Sequence, residues 1–128
     1  MRRRQLRPDE WRRLEQRATR VVDRLLAELP ADLAQLAAQC AISLEQSPDA
    51  SDLADGLDPD LLGLFDGALA CDHPLFPPPR IRLWLANLWD FAGRNPRTFD
   101  AEVRITLLHE LGHFLGLDEE QLDQRGLL

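Results

Sequence analysis

Residues 109–116 read His-Glu-Leu-Gly-His-Phe-Leu-Gly, and the spacing of the two histidines matches one turn of an α-helix. Side chains four apart lie on one helical face, so His109 and His113 can present two imidazole nitrogens to one Zn²⁺ at about 2.0–2.1 Å. Glu110 lies roughly 100° round the helix, near enough to reach a water on such a metal without ligating it. In the H-E-x-x-H pattern that is the position of a general base.

The flanking residues predict the helix independently. From Phe99 to Leu115 apolar residues recur at Ala101, Ile105, Leu108, Leu111 and Leu115, the spacing of one helical face. Thr98 suits the N-cap, Asp100 and Glu102 suit the first turn, and Pro96 keeps the preceding chain out of the helix. Gly116 suits the left-handed residue that ends it. A helix ending there can turn the chain back and bring a third ligand from Asp118, Glu119 or Glu120. The competing reading is an ordinary buried helix with hydrogen-bonded histidines. Burying a glutamate and two imidazoles among so many leucines is costly unless something pairs or coordinates them, which favours a metal.

With these residues the chain resembles the small bacterial zincin-like metallopeptidases, single domains of similar length with the pattern H-E-x-x-H-x-x-G-x-x-D. His109, Glu110, His113 and Gly116 match it, and the family's third ligand falls on Glu119. Aspartate is usual there, so glutamate is a departure, one methylene longer and flanked by two more acids. The resemblance implies an α+β minimal zincin-like domain, three to four helices packed on a short sheet, with an edge strand beside the metal-site helix. It also implies one Zn²⁺ per chain and Glu110 as the catalytic base of peptide-bond hydrolysis. Larger relatives carry a methionine turn, and many such enzymes use a tyrosine or histidine as a second oxyanion donor. Here the only methionine is Met1 and there is no tyrosine. His73, Arg82 and Arg104 are the remaining oxyanion donors considered.

At 128 residues the chain is read as one domain, 1–128, with a basic N-terminus over 1–7 that lacks fixed structure. Cys40 and Cys71 are too few for a disulfide framework and are expected to be reduced and mostly buried, as in a cytoplasmic protein. No apolar run suits a membrane span or a secretion signal. All 15 basic residues are arginine. Nine of them fall in residues 1–24 against four acids, so this segment is net +5 and the remainder net −12. Within residues 8–29, Trp11, Leu14, Ala18, Val21, Val22, Leu25, Leu26 and Leu29 form one stripe of an amphipathic helix. Its arginine face is either a solvated surface or a contact for an anionic partner.

Ala31–Gln39 is expected to form a short helix and Cys40–Glu45 a strand. Residues 47–60, with Asp49, Asp52, Asp55, Asp58 and Asp60, lack the spacing of a calcium loop and are expected to form a mobile acidic surface loop. After Pro74 and Pro77–Pro79, Ile81, Leu83 and Leu85 alternate with Arg82 and Trp84 across 80–86. This predicts an edge strand buried on one face, on which a peptide or protein substrate could pair. Trp84, Trp89 and Phe91 are expected in the core or a pocket wall.

Two other functional classes stay open. A small zinc endoribonuclease shares the H-x3-H-x2-G spacing, but its third ligand is histidine and glycine usually follows its first histidine. The net −12 body also repels phosphate backbones. A non-catalytic, zinc-stabilised interaction module would use the basic helix or the edge strand. Monomer and homodimer are both compatible with the sequence.

Overall fold

The computed structural model describes residues 5–128. Helix α1, Pro8–Glu28, opens with proline at its first position, and the Glu10 carboxylate accepts the Arg7 backbone N–H at 3.2 Å. Its expected stripe is the buried one: Leu14, Ala18, Val22 and Leu25 face the core. Of the expected basic N-terminal tail, residues 1–4 lie outside the described residues, while Leu6 packs against the core. Helix α2, Ala31–Ala37, leads into strand β1, Ala41–Glu45. There follow α3, Ala50–Ala54, strand β2, Gly63–Asp66, and strand β3, Arg80–Trp84. Helices α4, Leu85–Phe91, α5, Pro96–Leu115, and α6, Glu119–Gln124, complete the described chain.

Among the described residues, six helices thus surround a three-stranded mixed sheet ordered β1-β3-β2, the α+β layout expected. The helices beyond the expected three or four are short. Elements of five to seven residues make less than two turns, too few for a periodic apolar pattern. Their signals lie in the caps: Asp49 accepts the Asp52 N–H at 2.8 Å, and Asp118 accepts the Gln121 N–H at 2.8 Å, each in a reciprocal capping box.

Segment 80–86 departs from its expectation. Strand β3 is central, parallel to β1 and antiparallel to β2, so it has no free edge for a substrate. Pro77–Pro79 end just before the strand and remove no donor from within it. Both faces are buried, with Arg82 5% and Trp84 0% exposed. The polar half of the alternation is covered because Arg82 meets Glu45 on β1 at 2.9 Å and Asp52 on α3 at 2.6 Å. The acidic stretch 47–60 is therefore not simply a mobile surface loop, since Asp52 is buried and fastens it to the sheet. Leu85 and Ala86 already belong to α4. Of the aromatic residues, Trp84 is core and Trp89 packs edge-on to Phe99 at 5.8 Å, whereas Phe91 is 64% exposed. Cys40 is buried and Cys71, against expectation, is exposed.

Candidate metal centre

Helix α5 carries the centre, and its N-cap lies three residues before the expected one. Asn95 Oδ1 accepts the Thr98 N–H at 3.0 Å and its hydroxyl at 3.1 Å, and Pro96 fills the first helical position. The helix is buried on most of its circumference, through Phe99, Val103, Leu107, Leu111 and Phe114 among others. Ile105 and Ala101, assigned to the apolar face from spacing, are exposed instead. A helix apolar nearly all round gives periodicity no single face to find.

At its C-terminal end Gly116 takes φ 73°, the left-handed conformation expected of it. The Leu117 N–H then reaches the Gly112 carbonyl at 2.8 Å. A Cβ on Gly112 would lie 3.0 Å from the Leu117 carbonyl and 3.1 Å from Leu122 Cδ1. Glycine inside the motif thus lets α6 return close beneath the helix that carries the histidines.

Strand β2 lies along the other side of α5. A Cβ on Gly63 would fall 2.7 Å from Thr106 Cγ2, so the two elements touch there. Two strand residues advance about 6.6 Å and four helical residues about 6 Å. The next contact falls one step along each element, where the Phe65 N–H donates to Glu110 Oε1 at 3.0 Å. One helical turn further, the Ala70 N–H donates to the Phe114 carbonyl at 2.9 Å, and the Phe65 and Phe114 rings lie 5.7 Å apart.

The ladder explains why the Phe65 N–H is available. Trp84 N–H bonds the Leu62 carbonyl at 2.9 Å, and Leu64 stands opposite Arg82 in the same antiparallel register. Hydrogen-bonded and non-bonded pairs alternate in such a ladder, so the backbone groups of Gly63 and Phe65 point away from β3. The edge strand beside the motif helix is therefore β2, a four-residue element that the sequence reading missed.

His109, Glu110 and His113 come together as expected, with one potential ligand atom from each lying within 4.8 Å of the others. The imidazoles are exposed, with centroids 4.7 Å apart and rings inclined at 54°, while Glu110 between them is 8% exposed. Glu119 is the first residue of α6 and is exposed, outside this gathered group. Its neighbour Asp118 is engaged as the α6 cap, and Glu120 is exposed.

Among the oxyanion donors considered, Arg82 is locked in its buried ion pairs. Arg104 pairs with Glu28 of α1 at 2.9 Å, and His73 is exposed in the loop between β2 and β3. Two solvent-facing imidazoles one turn apart beside a carboxylate are a donor set suited to a divalent transition metal.

Comparison with known proteins agrees with this geometry. The comparison with curated proteins returned no match. A model of the family described as zincin-like metallopeptidase matches residues 37–127, from the end of α2 to the last residues of the chain. That family implies a divalent metal, typically zinc, and a hydrolase. Because the match covers well over half of the sequence and includes the histidine-bearing helix, the chain belongs to the zincin-like metallopeptidase family.

Proposed function

We propose that the protein is a zinc-dependent peptidase in which His109 and His113 hold one Zn²⁺ per chain, Glu119 completes the ligand set and Glu110 is the general base. The observation that carries this reading is the solvent-facing His109–His113 pair with the Glu110 carboxylate between them and β2 alongside. When bound, zinc supplies Lewis-acid polarisation of the scissile carbonyl and an activated water at neutral pH.

The Phe65 N–H fixes Glu110 through Oε1, which leaves Oε2 to take a proton from the attacking water. As the new C–O bond forms and the C–N bond breaks, Glu110 returns that proton to the departing amine. Apart from the Phe65 N–H, which Glu110 accepts, the outer edge of β2 offers backbone groups on which an extended peptide can pair, in place of the central strand β3. Because both histidines are exposed, a folded protein's loop can reach them without a lid moving.

The test is hydrolysis of a peptide library by zinc-loaded protein beside Glu110→Gln. Cleavage by the wild type, lost by about 10²-fold or more in a variant that still binds zinc, supports the assignment. Equal cleavage by both would remove Glu110 from the mechanism. Cleavage of RNA but not of peptides would replace the substrate class.

A further inference from the structure

The family match begins at residue 37, so α1 lies outside it. The apolar stripe of α1 is accounted for by the core, but its arginine face is not. Arg13, Arg17, Arg20 and Arg24 follow one another at four, three and four residues, a single ridge about 16 Å long.

Between this ridge and the α4–α5 end of the molecule lies a hollow of about 380 Å³, walled by Arg13, Arg17 and Arg20 and floored by Leu14, Trp89 and Pro96. That volume is typical of sites that hold a side chain or small ligand. An adjoining hollow of about 460 Å³ continues past Arg24 and Arg104. Two acids line these hollows, and each is already held by an arginine: Glu10 by Arg7 at 3.2 Å and Asp100 by Arg17 at 2.7 Å. Arg104 is paired with Glu28. Arg20, which borders both hollows, and Arg24 have no ion pair among the described residues.

We propose that this face is a docking site for a carboxylate-rich protein segment carrying one bulky apolar side chain. Arg17 shows the bond this ridge can make, since its Nε and Nη2 grip both oxygens of Asp100 at 3.0 and 2.7 Å. Planar guanidinium forks suit carboxylates in that bidentate way. Arg20 and Arg24 offer the same fork to a ligand, and the Leu14–Trp89–Pro96 floor receives the apolar side chain. An extended segment of about five residues spans the ridge. A nucleic acid fits less well, because its repeating charge would run on over a body of net −12. The site stands whether or not the metal centre cleaves peptides.

The probe is a fluorescein-labelled peptide of about six residues with glutamates flanking a leucine, followed by fluorescence anisotropy at low ionic strength with the full chain. Binding by the wild type should weaken about tenfold or more in Arg20→Ala/Arg24→Ala. It should stay near wild type in Arg12→Ala/Arg97→Ala, which removes the same charge outside the two hollows. A matched thermal midpoint for both variants shows that the fold is intact. Absence of binding, equal loss in both double variants, or tighter binding of single-stranded RNA of equal length would overturn the proposal.

Discussion

The Glu110 carboxylate on α5 accepts the backbone N–H of Phe65 on β2 at 3.0 Å, so this short edge strand also orients the carboxylate that lies between the two histidines. The bond depends on β2 lying close against the helix. Only glycine at position 63 allows this, with Thr106 one turn before Glu110 as its opposite surface.

Gly63→Ala should therefore push β2 away from α5 and destabilise the fold by about 1–3 kcal/mol through overpacking. Adding Thr106→Ser, which deletes the nearest clashing methyl, should recover part of that loss. Chemical denaturation of the two variants and of Thr106→Ser alone gives the coupling between the positions.

Arg82→Ala should cost about 3 kcal/mol, because it strands two carboxylates that the fold has drawn together. The figure is at the low end for buried pairs since the Glu45 side chain is 32% exposed. The Arg82 guanidinium holds the carboxyls of both Asp52 and Glu45 below their ordinary values. Depressed carboxyl values stabilise the folded state above the unfolded values near about pH 4, and that stabilisation is lost as pH falls through the folded ones. Wild-type stability should thus decline on acidification below about pH 4. The decline should be shallower in Arg82→Ala, as measured by thermal midpoint against pH.

The two thiols should differ in reactivity. Burial, with the charge of Asp66 adding to it, pushes Cys40 up to about 11, so little thiolate exists there at neutral pH. Cys71 is exposed. Iodoacetamide on native protein at neutral pH should modify Cys71 and spare Cys40 until denaturant is added, as read by peptide mass spectrometry.

What was legible in the sequence were the features written within one element. The α1 stripe, the histidine spacing and Gly116 each depend on residues a few positions apart, and each appears in the structure where it was expected. What was hidden depends on distant partners. The polar alternation of Arg82 suggested a solvent-facing side, yet its carboxylate partners stand 30 and 37 residues away and cover it. Strand β2 has four residues and is bounded by Gly63, whose role is a contact with Thr106 43 positions on. The Phe65 N–H at Glu110 is a backbone group, and a side-chain motif carries no sign of it.

Whether the exposed His109–His113 pair holds a metal is decided by the metal content of native, tag-free protein, measured by mass spectrometry beside His113→Ala and Glu119→Ala. About one zinc should accompany each wild-type chain, lost in His113→Ala and weakened in Glu119→Ala. A wild type that arrives empty and takes up no zinc on addition would contradict the metal site.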